Sequence, residues 1–286
     1  MTIRHILQHT AGIGLGLGIG LIGEALLLQA GPNEPGVSLA EEMTRLAGVP
    51  LSHQPGTVWS YSLSPDVQAR LVEVLSGQDF AGFLQERIFS PIGMRDTTFA
   101  PDAQQIDRMA QVYWSDGERL VAWGADSKPP VPPIIADWPH PFLTLHDPSL
   151  PFVRGSFGLY STVDDYLRFV QMLQNGGALE EMRILSEETV RLMANDTLGD
   201  IPWLMWPVQG MGFGLGLAVL RDPAAANYAG TPGMFHWDGA LGTVMWIDPK
   251  RELVVVGMAQ HLLIPELTPD ALGAELRNHV YAALTD

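Results

Sequence analysis

Near residue 210 the chain changes texture. Three apolar runs follow, 212–220, 234–247 and 252–260, rich in Val, Leu, Phe, Trp and Met, and each reads as a strand. Asp248-Pro249-Lys250-Arg251 is the tight turn between the last two, and from Pro269 the tail carries Leu272, Leu276, Val280 and Leu284 at helical spacing. About 200 residues of capped helices and loops come first. A helical region followed by antiparallel strands and a closing helix is an α/β protein of the α+β kind, its sheet flanked by helices. The expected division is 1–209, mainly helical with long loops, and 210–286, strand-rich with a C-terminal helix. Three strands are a thin sheet for so many helices. Charged residues make up only 17%, against a usual ~25%, so either the core is extensive or apolar surface needs covering.

The helices announce themselves by caps. Ser38-Leu39-Ala40-Glu41 is a capping box, with Leu39, Met43 and Leu46 facing inward and Gly48 as the stop. The same stretch is a near miss to G-x-S-x-G, but no strand precedes it and the cap is the better reading. A helix over 80–89 places Phe80, Phe83, Leu84 and Ile88 on one face and is expected to end at Ser90-Pro91. Thr162 caps a helix with Val163, Tyr166, Leu167, Val170 and Leu173 inward, and Ser186 caps a shorter one. The proline-rich stretch 100–155 is long and irregular, more in keeping with a site wall than a linker.

The chain carries 16 basic and 32 acidic residues, a net charge of −16. Nucleic acid and anionic membrane surfaces are therefore poor partners. Without cysteine there is no disulfide, thiol catalysis or cysteine–metal site. Residues 11–23 are apolar and uncharged but short of the ~20 needed to span a bilayer, and alternating glycine weakens any helix there. Gly18, Gly20 and Gly23 match G-x-G-x-x-G, but no convincing strand leads into them, and a glycine-rich loop is preferred to a nucleotide site. His5 and His9 stand four apart without a third ligand, so no metal and no cofactor is expected. No secretory signal is visible after Met1, which favours a cytoplasmic location.

The stretch from Pro55 to Pro65 holds the clearest candidate for chemistry. Pro55-Gly56 breaks the preceding segment, and Ser64-Pro65-Asp66 reads as N-cap, proline at the first helical position and first-turn acid. The following helix places Val67, Leu71, Val74 and Leu75 inward and stops at Gly77. Tyr61 is thus held at the mouth of a helix, its hydroxyl free to face a cleft.

Four phrases in this order resemble the penicillin-recognising serine hydrolases: class C β-lactamases, DD-peptidases and the β-lactamase-like family VIII carboxylesterases. Thr2 to Gly12 resembles TIRHLLTHTSG, Pro55 to Ser62 resembles PGTRWSYS, and Gly158 to Tyr166 resembles GLYSTADDY. His236 to Thr243 resembles the strand motif WGGAAGT, which stands where β-lactamases carry K-T-G. The esterase branch fits best, because Leu63 occupies the place of the Asn in the lactamase Y-x-N. The resemblance implies a β-lactamase/DD-peptidase-like fold in which a serine attacks an ester or lactam carbonyl and forms an acyl-enzyme. It makes Tyr61 the acid–base residue and the Ala240 N–H an oxyanion donor, with Trp237, Asp238, Gly239 and Leu63 in contact with substrate. Asp238 stands where relatives carry Gly, and an acid there would disfavour anionic substrates.

The family's Ser-x-x-Lys belongs upstream of the first of these phrases, and none occurs in these 286 residues. The two lysines, Lys128 and Lys250, have Ala125 and Ile247 three positions before them. A tyrosine with no cation beside it keeps a pKa near 10, so only about one molecule in a thousand is ionised at pH 7. The family's N-terminal strands are also expected to be missing, which would leave an uncovered sheet edge open to self-association. Three readings follow. The first is a family VIII-like esterase written without its nucleophile segment and inactive as written. The second is a non-catalytic relative that binds a small ester or lactam. The third is a split enzyme completed by another chain. Amide hydrolysis of the β-lactamase or DD-peptidase type stays open beside ester hydrolysis.

Overall fold

A computed structural model describes residues 1–14, 36–116, 118–124, 152–204, 209–262 and 271–284. The glycine-rich fingerprint, Lys128 and half of the proline-rich stretch lie outside these residues. The chain forms two compact units. One comprises Met1–Asp107, Val131–Ser161 and Leu198–Pro207; the other comprises Arg108–Pro130, Thr162–Thr197 and Val208–Asp286.

In the first unit, α1 (Ile3–Leu7) starts at Thr2, whose hydroxyl accepts from His5 N–H. α2 (Leu39–Leu46) begins with the expected capping box: Glu41 accepts from the Ser38 N–H, and Ser38 accepts from the Glu41 N–H. α3 (Ser64–Ser76) carries Pro65 in its first turn and ends at Gly77, which is left-handed. It begins one residue earlier than expected: Leu63 is the N-cap and Ser64 is already helical. Its buried face also differs. Val74 and Leu75 are 61% and 77% exposed, while Ser64, Asp66 and Ala69 are buried and Val67 and Leu71 are partly so. The face turns because the first turn packs under residues 155–156, which bond to Asp66. α4 (Phe80–Leu84) does not stop before Pro91. It widens into a π-helical turn over Gln85–Phe89 and continues through Ser90–Ile92 to Gly93. The wider turn accommodates a proline that has no N–H to give and whose ring would meet the carbonyl of the preceding turn.

In the second unit the apolar runs form five strands instead of three. They are β5 (Met211–Phe213), β6 (Ala218–Leu220), β7 (Phe235–Asp238), β8 (Val244–Asp248) and β9 (Leu253–Gly257). They make one antiparallel sheet in sequence order, with two short hairpins elsewhere, β1–β2 (Tyr113–Ser115 with Leu120–Ala122) and β3–β4 (Ala178–Leu179 with Met182–Arg183). The first run folds back through 214–217, and the second folds back through 239–243. β8 is buried at all five positions, as a central strand covered on both faces must be. α5 (Val163–Gln174), capped by Thr162, packs against β8 and β9. Val163 is exposed rather than inward; Val170, Met172 and Leu173 fill the buried face. α6 (Glu187–Met193) follows the Ser186 cap. α7 (Ala271–Ala283) lies against the sheet, where the Leu276 side chain closely approaches Gly257 and the Tyr281 hydroxyl donates to buried Asp248 at 2.6 Å. No described helix is long and apolar enough to cross a membrane.

Candidate active site

The site residues fall in two sets, one in each unit. The first set is built by two of the sequence motifs lying side by side. Residues 9–14 run along 52–63: Thr10 O accepts from Gly56 N–H, His9 O from Ser60 N–H, and Gly14 O from Leu63 N–H. Gly12 makes this approach possible. Its φ is +83°, and a Cβ there would strike the His53 carbonyl. On its other side the segment pairs with 202–204, where Trp59 N–H donates to Pro202 O, Leu204 N–H donates to Trp59 O, and the Trp59 and Trp203 rings stack at 4.2 Å. Tyr61 is therefore held on both flanks and remains partly exposed.

His9 sits beneath it. Its backbone is left-handed, φ +54°, a conformation histidine tolerates better than most side chains. The imidazole lies 4.9 Å from the Tyr61 ring, tilted by 33°, and meets Trp59 edge-on at 6.0 Å. Nδ1 is 3.0 Å from Ser62 Oγ, which is 2.7 Å from Ser64 Oγ. Burial lowers the His9 pKa from 6.5 to about 4, so the ring is neutral at physiological pH. Leu63, expected to touch substrate, instead packs inward at 1% exposure with Ile6, Ala11, Ile13 and Val49.

A buried ionic cluster that no local sequence pattern announces supports the same helix mouth. Asp66 accepts from Gly155 N–H at 2.9 Å, Ser156 N–H at 3.2 Å and Ser156 Oγ–H at 2.6 Å. Glu42 lies on α2 at 1% exposure, with Arg154 Nε 2.5 Å from its Oε2, close but poorly aligned for a hydrogen bond. Arg154 also donates to the Val153 and Val37 carbonyls and lies over the Phe152 ring. Desolvation, then repulsion from Asp66, raises the Glu42 pKa to about 7 against the pull of Arg154 and Arg45. Desolvation also raises Asp66, opposed by its Ser156, Gly155 and Arg154 partners.

The second set lies at the end of β7. Trp237 and Asp238 are its last two residues, and Phe213 meets Trp237 edge-on at 5.6 Å. The chain then turns: Gly239 N–H donates to Thr243 O at 2.7 Å and Gly242 N–H to Gly239 O. A Cβ on Gly239 would collide with Thr243 Oγ1, so a larger residue there would have to displace the threonine side chain. Ala240 at the tip is exposed, and among the described residues its N–H makes no hydrogen bond. A backbone donor without a partner among the described residues, held in a tight turn, is what an oxyanion-binding position needs. Asp238 is partly buried, and Nδ1 of buried His236 lies 3.9 Å from its Oδ1 and 3.3 Å from the Tyr228 hydroxyl. No cluster of three metal-ligating side chains occurs among the described residues.

A family model described as Beta-lactamase matches residues 1–275. The chain belongs to the beta-lactamase family. Esterase EstB of Burkholderia gladioli is 31% identical over 293 aligned residues, covering 99% of this chain and 70% of that protein. Lovastatin esterase of Penicillium rubens is 35% identical over 286, covering 92% of this chain and 65% of that protein. Among solved structures, EstCE1, a hydrolase with promiscuous acyltransferase activity, matches with a TM-score of 0.79 at 23% identity. That match covers 98% of this chain and 72% of EstCE1. Simvastatin synthase (LovD) from Aspergillus terreus gives 0.75 at 22%, over 100% of this chain and 69% of that one. The chain thus spans about two thirds of the length of these relatives. The fold expected from the four motifs is the fold observed, and the family is one of serine hydrolases with esterase and acyltransferase members.

Proposed function

We propose that these 286 residues carry the acid–base and oxyanion parts of a carboxylesterase that cleaves small esters through an acyl-enzyme. The observation that carries the reading is the unbonded Ala240 N–H at the tip of the Gly239–Thr243 turn, in a chain 31–35% identical to two proteins named esterases. In the reaction, the serine oxygen attacks the ester carbonyl as the lysine of Ser-x-x-Lys takes the serine's proton, and the carbonyl oxygen becomes anionic, accepting from Ala240 N–H. The ammonium so formed favours proton release from Tyr61; collapse breaks the acyl–oxygen bond, and the departing alkoxide takes that proton. Water then attacks the acyl-serine with the Tyr61 phenolate accepting its proton, and collapse releases the acid while the lysine returns its proton to the serine oxygen. Leu63, as a core residue, has no part in substrate contact. Trp237 and Gly239 line the acyl position, and Asp238 disfavours substrates bearing a negative charge.

The serine and its lysine are not supplied by any Ser-x-x-Lys within the 286 residues, so the chain alone is expected to be inactive. The test uses a fluorophosphonate and p-nitrophenyl esters on two proteins: the chain itself, and the chain fused behind the N-terminal segment of EstB. Labelling of the fusion alone is expected, with a chromogenic cephalosporin as the lactam control. Labelling of a residue within 1–286 of the unfused chain would sink the proposal. Stoichiometric ester binding by a well-folded fusion that is neither labelled nor active would favour the non-catalytic binding reading.

A further inference from the structure

The first set holds more than Tyr61. A single imidazole touches residues on both sides of the tyrosine as well as its ring: His9 meets Trp59 edge-on, lies 4.9 Å from Tyr61 and hydrogen-bonds with Ser62 through Nδ1. The backbone does the same, since His9 O accepts from Ser60 N–H. Four consecutive residues, 59 to 62, are thus fixed by one residue from the other end of the unit's sequence. The contact is local and dry, because His9, Trp59 and Ser62 are all buried. His9 also holds a left-handed backbone, and a non-glycine residue there persists only where its surroundings hold it.

We propose that His9 is a positioning residue for Tyr61, holding the plane of the phenol by ring contact and the backbone that carries it through Ser60 and Ser62. This rests on the reading of Tyr61 as the acid–base residue. A phenol that must give a proton to a leaving group and later take one from water has to point at both from one place, and a freely turning ring samples that direction only part of the time. The imidazole does this work as a neutral ring. Once protonated, both ring nitrogens are donors, so Nδ1 can only donate to Ser62 Oγ, and a cation lies against the phenol ring. The imidazole's neighbours include Tyr61, Trp59, Ser62 and, through Ser62, Ser64.

The test is NMR on the 286-residue chain labelled with ζ-¹³C and ε-¹³C tyrosine, the ζ carbon reporting titration and the paired ε carbons ring flipping, and with ε-¹³C histidine. Tyr61 is assigned by Tyr61→Phe, and the other five tyrosines serve as controls. In the wild type the Tyr61 signal is expected to move between pH 3 and 6 with the same midpoint as His9, near 4. In His9→Asn, which tolerates the left-handed backbone, Tyr61 ring flipping is expected to quicken about tenfold, with the control tyrosines unchanged. A Tyr61 signal indifferent to His9 titration would overturn the proposal, and that arm does not use His9→Asn, so a poorly folded His9→Asn leaves the test intact. Failure of the esterase reading looks different: the fusion stays unlabelled while Tyr61 still follows His9.

Discussion

Two buried carboxylates face one guanidinium in the Glu42–Asp66–Arg154 cluster, and the imbalance gives a measurable pH effect. Glu42 has its folded pKa raised from 4.5 to about 7. The folded state therefore binds more protons than the unfolded chain across that window, and stability falls as pH rises through it. The loss is complete above pH 7 and amounts to about 3 kcal/mol, from 1.36 kcal/mol per pKa unit. Glu42→Gln mimics the protonated form, and Arg154 keeps Asp66 as a counter-charge, so the substitution leaves no unpaired buried cation. The variant should match the wild type near pH 4.5 and be about 3 kcal/mol more stable at pH 8. The assay is urea unfolding at intervals from pH 4.5 to 8, reported as the difference between the two proteins. The difference matters because His9 works in the opposite direction: its pKa is lowered to about 4, so its contribution is present above 6.5 and lost as pH falls towards 4. In the wild type the two slopes largely cancel. Parallel profiles for the two proteins, or a variant weaker than the wild type at pH 8, would refute the reasoning.

In the Glu42→Gln background, the stability that adding His9→Asn removes should grow by about 3 kcal/mol from pH 4 to 6.5, read as the difference between the two variants in urea unfolding. Tyr61→Phe in the EstB fusion should lower kcat by roughly 10² to 10⁴ with little change in Tm, measured on p-nitrophenyl esters. Gly239→Ala should distort the turn against Thr243 and lower the fusion's labelling rate by about tenfold or more, while far-UV circular dichroism stays that of a folded protein. Asp238→Asn should raise kcat/KM for an ester bearing a carboxylate relative to its neutral counterpart, by about tenfold, and equal changes for both esters would remove Asp238 from specificity.

What the sequence made legible was local. The Ser38–Glu41 capping box, the Thr162 and Ser186 caps and the stop at Gly77 are each written within a few residues, and all are observed. The strand count failed because turns were hidden inside apolar runs. Gly214 with Gly216, and Gly239 with Gly242, were turn signals that the surrounding Val, Leu and Trp masked. The buried face of α3 failed for a different reason. Periodicity favoured Val74 and Leu75, but the first turn is anchored by Asp66 to Gly155 and Ser156, some ninety residues away, and no local pattern records that partner. Glu42 was equally hidden: beside Glu41 it reads as a second first-turn acid, and only Arg154 explains why it is inside. Tyr61 was legible because its motif is contiguous. The role of His9 beneath it was not, since its spacing from His5 without a third ligand pointed only to a structural place near a helix end, and its partners at Tyr61 and Ser62 lie fifty residues on.

These contacts separate two requirements that are easily merged. A catalytic tyrosine needs a fixed direction and it needs a proton that can leave. His9, Ser62 and Ser64 meet the first need, and with His9 neutral at physiological pH this set carries no positive charge. It can orient the phenol but offers no cation to stabilise a phenolate. Proton release must therefore be promoted by a separate positive group, the part that the proposed reaction gives to the lysine of Ser-x-x-Lys. Orientation and activation should then fail independently in the EstB fusion. Replacing that lysine should alter the titration of Tyr61 and leave its ring-flip rate unchanged, whereas His9→Asn should speed the flip. If one substitution reproduced both effects, the phenol would be held and activated by the same group, and His9 could not be that group while it stays uncharged.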